Sequence, residues 1–175
     1  SPAERAAWRG ALGDTTHDRE FVTLCGEVFV RATQTLTVAR RNHWILDIAM
    51  DQLTCGRAAL YAATLTAQPP TRTTTEPELS FATAREHLDA AVDGLRNAGQ
   101  LNYLPLGLIT RAWLHHRERP DLARADLDDA WAFAERGPMP LLQADVQLTR
   151  ARLFHDCSAL AHARVLITHH GYGRR

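Results

Sequence analysis

The chain has 175 residues, 45% of them hydrophobic, and its 20 basic and 20 acidic residues cancel. This composition is typical of a globular protein with a sizeable core, and the balanced charge argues against nucleic acid or an anionic membrane as partners. All 20 basic residues are arginine. Walker A loops and Schiff-base enzymes are therefore excluded from this chain, because both need a lysine.

The sequence also indicates a cellular location. No window of about 18 consecutive apolar residues is present, and residues 1–30 lack the core of a signal peptide. Three widely spaced cysteines, Cys25, Cys55 and Cys157, form no CxxC pair and are interpreted as buried, reduced thiols. We therefore expect a cytoplasmic protein.

Helical periodicity begins near the start of the chain. A short helical pattern covers residues 2–12, and longer helices are predicted over Asp18 to Arg41 and Trp44 to Ala67. Val28 and Ile45 are placed on the apolar stripes of these two helices. Gly56 lies within the second stripe, where a missing side chain would let a neighbouring helix approach closely.

The helical pattern is interrupted over residues 66–80. This segment is rich in proline and threonine, which predicts an inserted loop that protrudes or is disordered. Thr75 and Glu78 have the spacing of a capping box, so the next helix is predicted to begin at Glu76.

Glycine and proline then punctuate the chain at regular intervals, and no alternating apolar run predicts a strand. The helices predicted from this punctuation are Glu76 to Ala98, Leu104 to Arg117, Asp121 to Arg136, Leu141 to His155, and a short final helix that ends at Gly171.

The same helices contain an internal repeat of the form Ala-x3-Leu-x2-Ala. Its copies are Ala32, Leu36 and Ala39; Ala84, Leu88 and Ala91; and Ala123, Leu127 and Ala130. The last two copies are 39 residues apart, and Thr110-Arg111-Ala112 recurs as Thr149-Arg150-Ala151 at the same distance. The first two copies are 52 residues apart because of the inserted loop, and Ala163 follows Ala130 by only 33. A period of this size indicates stacked helix pairs.

On the second helix of each pair, this pattern resembles the packing signature of tetratricopeptide repeats (TPR). The resemblance covers residues 18–172. The resemblance implies an all-α fold, a right-handed α-α superhelix of about four helix pairs, as a single domain over residues 1–175. The family's aromatic residue on the first helix is present only as Phe154, and its proline after the second helix is missing or displaced.

The chain more closely resembles C-terminal TPR arrays of bacterial signalling proteins that contain a NACHT or other STAND-type NTPase module. This likeness is carried by these segments: Trp44 to Ala49, Gly56 to Ala58, His87 to Arg96, Arg150 to Leu153, and Gly171 to Arg175. This likeness implies a sensor or regulatory arm, whose partners include other domains of the same protein.

No catalytic set can be nominated from the spacing, so we expect a non-catalytic, cofactor-free scaffold that binds a protein or peptide. In a TPR-type array the first helices line the concave face, here residues 43–60, 102–117 and 141–155. The candidate partner-binding residues on them are Asn102, Arg111, Trp113, Gln143, Gln147 and Arg150. Arg111 and Arg150 could bind a partner's carboxylates, or form a structural ion pair with Asp145 or a neighbouring acid. Both interpretations stay open.

The alternative function is a metal-binding or small metal-dependent protein that uses C-terminal histidines. These are His115, His116, His155, His162, His169 and His170. His116 and His155 are repeat equivalents, and imidazoles stacked there could hold zinc. Against this, a histidine near a helix C-terminus is favoured by the helix dipole and by solvent exposure.

Paired aspartates and tryptophans have plainer interpretations. The aspartates are interpreted as solvated ion pairs on outward helix faces, and the tryptophans as core or seam residues. The residues concerned are Asp47 with Asp51, Asp89 with Asp93, Asp126 with Asp128 and Asp129, and Trp44, Trp113 and Trp131.

Overall fold

The computed structural model describes residues 18–66 and 79–172; the helix predicted over residues 2–12 lies outside them. The described residues form seven α-helices and no strand, which confirms the all-α class. The helices are α1 (Asp18–Arg41), α2 (Ile45–Thr66), α3 (Phe81–Asn97), α4 (Leu104–His116), α5 (Pro120–Arg136), α6 (Pro140–Phe154) and α7 (Cys157–His170). None of these helices is both long and apolar enough to cross a membrane.

Most helix boundaries agree with the sequence prediction to within a residue, because local chemistry sets them. Pro120 and Pro140 occupy the first turns of α5 and α6, where a missing N–H costs nothing. The Asp156 carboxylate accepts the backbone N–H groups of Ser158 and Ala159 and so caps α7. Gly171 ends this helix with a φ of +70°, a conformation that suits glycine.

The predicted start of α3 at Glu76 is wrong. Leu79 and Ser80 are not helical, and α3 begins at Phe81. The Ser80 hydroxyl accepts the Thr83 backbone N–H at 3.1 Å, so Ser80 caps the helix. The Thr75 and Glu78 pair lies outside the described residues. Thr66 belongs to both the predicted helix Trp44 to Ala67 and the predicted loop 66–80, and in the structure it is the last residue of α2.

The described helices divide into two compact units, with the division between Gly94 and Leu95 inside α3. In the first unit, α1 packs along α2. α2 approaches α3 closely: a Cβ added at Gly56 would lie 2.6 Å from Leu88 Cδ2, and one added at Gly94 would lie 2.9 Å from Ala49 Cβ. The predicted close approach at Gly56 is therefore confirmed.

The second unit contains two helix pairs. α4 packs on α5, α6 packs on α7, and α6 also contacts both α4 and α5. The core of each unit includes the repeat residues, since all nine members of the three Ala-x3-Leu-x2-Ala copies are 5% exposed or less. The superhelix and the single-domain organisation remain predictions.

Two residues placed on the apolar stripes are exposed instead. Val28 is 43% exposed, because the buried face of α1 runs through Cys25, Phe29 and Ala32 at four- and three-residue steps and leaves position 28 outside it. Ile45 is 54% exposed because it is the first residue of α2, ahead of the first buried position at Ala49.

Candidate functional site

The six predicted partner-binding residues all lie on or next to α4 and α6, which contact each other. Asn102 is exposed in the turn before α4, Gln147 is buried within α6, and the remaining four are partly exposed: Arg111, Trp113, Gln143 and Arg150. The Gln143 side chain donates to the Ala134 carbonyl at 3.3 Å. Gln143 is thus hydrogen-bonded within the second unit, and Gln147 is buried there.

Arg111 belongs to a buried polar network with Asp126 and His115. Its Nε and Nη2 donate to Asp126 Oδ2 and Oδ1 at 3.1 and 2.7 Å, a two-bond fork. His115 Nδ1 lies 2.9 Å from Asp126 Oδ2, and all three side chains are largely shielded from water. Of the two roles left open for Arg111, the structure contains the ion pair with a neighbouring acid.

The pKa of Asp126 reflects competing effects. Burial raises it, but hydrogen bonds from His115 and Arg111, together with their positive charge, outweigh burial and hold the pKa below its usual value.

The prediction that Asp126 faces outward is wrong, and the prediction of an exposed His115 is wrong with it. Asp126 follows Ala123 by three residues and precedes Ala130 by four, so it lies on the same buried face as these alanines. That spacing is the sequence signal that identifies Asp126 as an interior residue.

Arg150 also has an internal carboxylate, but not the equivalent one. Its Nη2 lies 2.5 Å from Asp128 Oδ1 and 3.4 Å from the Leu127 carbonyl, and its guanidinium stands 5.9 Å from the Trp131 ring. In α7, Ala159 occupies the place that Asp126 has in α5, 33 residues earlier. With no acid at that place in α7, Arg150 pairs with the preceding helix α5.

A second set of side chains on α4 and α6 is accessible, and the sequence analysis identified only two of its members, Asn102 and Trp113. Asn102 lies in the turn before α4, and Leu106, Ile109 and Trp113 follow it at helical steps along that helix; all four are partly or fully exposed. The equivalent positions 39 residues later are Leu141, Asp145, Leu148 and Arg152 on α6, and they are partly or fully exposed too. We call these eight residues the α4–α6 surface.

The C-terminal histidines do not assemble into a metal centre within residues 18–66 and 79–172, since no three His, Cys, Asp or Glu side chains are arranged to hold an ion there. The His116 ring meets Phe154 edge-on at 5.1 Å, and its buried Nδ1 has no hydrogen-bond partner. Burial lowers the pKa of His116, and the charges of Arg124 and His155 lower it further.

Two of the three cysteines match their interpretation. Cys25 and Cys55 are buried free thiols, and burial, reinforced by the Asp51 charge, raises the pKa of Cys55 to about 11. Cys157 is exposed, so its predicted burial is wrong. It is the first residue of α7, ahead of the first buried position at Ala159.

In the first unit, the half-buried His87 makes stability depend on pH. His87 Nδ1 hydrogen-bonds Gln52 Oε1, and the His87 ring meets Phe29 edge-on at 5.3 Å. Burial lowers the pKa of His87 in the folded state. Below the ordinary histidine pKa the unfolded chain therefore binds a proton more readily, and the folded state loses stability as the pH falls.

We expect the free energy of unfolding to decrease between pH 7 and pH 5, with a smaller slope in His87→Gln. Because the pKa of His116 is also lowered, the slope should shrink again in the double variant His87→Gln/His116→Gln. Urea titrations at several pH values measure how the free energy of unfolding changes with pH. Exposed His43 supplies the control, and a slope that the double variant leaves unchanged would contradict the assignment.

Comparisons of the chain with protein-family models, curated proteins and solved structures found no match. The described part of the chain defines an all-α protein class, with two packed helix pairs in the second unit.

Proposed function

We propose that the chain is a non-catalytic scaffold that binds a protein or peptide on the α4–α6 surface. The observation that carries this proposal is the pair of accessible stripes at equivalent positions on two helices in contact. Buried side chains fix the fold, whereas accessible side chains on adjacent helices of a repeat array form its binding surface.

The chemistry of this surface suits a peptide. Leu106, Ile109 and Trp113 offer apolar area on α4, while Asn102 and Asp145 provide polar groups beside it. Partly exposed tryptophans are enriched among the residues that dominate binding energies, because they bury a large rigid area. Trp113 is therefore the side chain to which we assign the largest contribution.

The two arginines have different capacities to contact a partner. The Arg111 pair is buried, so opening it would leave Asp126 without its counter-charge. The Asp128 side chain that pairs with Arg150 is 71% exposed, so water can replace this carboxylate at lower cost than the buried Asp126. We assign a partner's carboxylate to Arg150 rather than to Arg111.

Replacing Trp113 with alanine is expected to weaken peptide binding by about tenfold or more, because truncating a tryptophan anchor removes its buried contact area. Peptides would be selected from a display library on the immobilised protein and their affinities measured by fluorescence anisotropy.

Trp44 offers the matched control. It is 53% exposed and belongs to the first unit, so Trp44→Ala should leave the affinity unchanged. If both variants bind the selected peptides as the natural chain does, the α4–α6 surface is not the binding site. If no peptide is selected at all, the scaffold proposal itself fails.

The likeness to arrays of STAND-type signalling proteins supports an extension of the proposal: the chain acts as a sensor or regulatory arm of a larger bacterial protein. Without lysine the chain has no residue for a Walker A loop, so nucleotide hydrolysis would belong to another module. An NTPase module encoded upstream would support the extension, and a reading frame without one would contradict it.

A further inference from the structure

The repeat leucine is buried in three helices and exposed in the fourth. Leu36, Leu88 and Leu127 are at most 4% exposed, whereas Leu160, three residues before Ala163, is 53% exposed. Its neighbour Val165 is 64% exposed. The outer face of α7 therefore has the composition of a helix-packing surface but no helix on it in the described part of the chain.

This face forms one side of a groove of about 950 Å³, which we call the α7 groove. Leu148 of α6 lines it together with Leu160, Val165 and Ile167 of α7, so most of the lining is apolar.

The charge of the groove is one-sided. α7 contains no acidic residue from Cys157 to His170, and the groove lining includes Arg164 and His169. Arg164 follows Leu160 by four residues, which places it within the apolar stripe. Among residues 18–66 and 79–172 no carboxylate pairs with Arg164, whereas Arg150 on α6 pairs with Asp128.

We propose that the α7 groove docks an amphipathic helix of a partner protein that carries an acidic residue among its leucines. At the equivalent leucine positions of α1, α3 and α5 the apolar side chain is covered by packed helix, so a helix is the shape that the groove fits. A carboxylate on that helix would supply the counter-charge for Arg164. The proposal rests on the chain being a protein-binding scaffold but assigns a second site, which shares Leu148 with the α4–α6 surface and does not include Trp113.

The test uses two synthetic helical peptides of about 18 residues, with leucines at i, i+3, i+4 and i+7. One peptide carries glutamates beside the leucines, and the other carries arginines at the same positions. Fluorescence anisotropy should show the acidic peptide binding about fivefold more tightly or better. Val165→Glu should weaken that binding about tenfold, and Arg164→Glu should reverse the preference between the two peptides.

Val38→Glu is the matched control, because Val38 is 50% exposed on α1 in the first unit and should leave binding unchanged. Circular dichroism checks that the variants fold, and Ala161→Glu, at another exposed lining position, repeats the test independently.

Four outcomes would overturn the inference. The acidic peptide binds no better than the basic one; its binding survives Val165→Glu; the protein self-associates through this face, so that Val165→Glu abolishes a dimer in sedimentation; or phosphatidylglycerol vesicles bind there instead. If binding of the acidic peptide survives Val165→Glu but is lost in Trp113→Ala, the α7 groove is not the docking site. The proposed function would still hold in that case.

Discussion

Replacing Asp126 with alanine is expected to destabilise the protein by about 3–5 kcal/mol, the usual cost of removing one partner from a buried ion pair. The substitution leaves the Arg111 guanidinium and the His115 ring buried without the carboxylate that both contact. Asp126→Asn keeps the shape but removes the charge, so its loss should be smaller than that of alanine.

Chemical denaturation measures both variants against Asp128→Ala. The Asp128 side chain is 71% exposed, so its removal should cost at most about 1 kcal/mol. Because the folded state holds the pKa of Asp126 below its ordinary value, the stability that this carboxylate contributes is present above that value and is lost as the pH falls through the folded pKa. Equal destabilisation by Asp126→Ala and Asp128→Ala would mean that the network does not stabilise the unit.

Gly56→Val is expected to destabilise the first unit by about 1–3 kcal/mol or more, through overpacking. A Cβ at position 56 would lie 2.6 Å from Leu88 Cδ2 and 3.2 Å from the Leu88 backbone nitrogen, so both the leucine and the helix behind it must shift. The gain in helix propensity over glycine, about 0.5 kcal/mol, does not offset this cost.

A double-mutant cycle identifies the contact. Leu88→Ala alone opens a cavity and costs about 2–5 kcal/mol, but combined with Gly56→Val the two losses should be less than additive, because the valine occupies the vacated space. Ala90→Val, at an exposed site on the same helix as Leu88, is the control for introducing valine. Additive losses would show that Gly56 and Leu88 do not meet.

The sequence predicts most of the fold because helix boundaries depend on neighbours in the chain. The proline at the start of α5 and the glycine after α7 mark ends that the structure confirms. The error at the start of α3 arose between two capping signals five residues apart, Thr75 and Ser80, and the structure places the cap at Ser80.

The site was less predictable because it depends on contacts between helices. Nothing within α4 specifies that Arg111 meets Asp126, since that contact depends on how α5 lies against α4. The repeat pattern likewise does not predict that Leu160 is exposed. Its three counterparts are buried, and only the packing around α7 distinguishes it.

Arginines 111 and 150 occupy the same place in the repeat but impose different limits on sequence variation. At position 111 the fork of two hydrogen bonds into a buried carboxylate requires a planar guanidinium, which the single ammonium of a lysine does not reproduce. At position 150 the partner carboxylate is exposed, so other long polar side chains satisfy the site about as well. We therefore expect natural variants to keep arginine at position 111, because the buried carboxylate requires it. At position 150 we expect other polar residues to occur, depending on the partner that the surface binds.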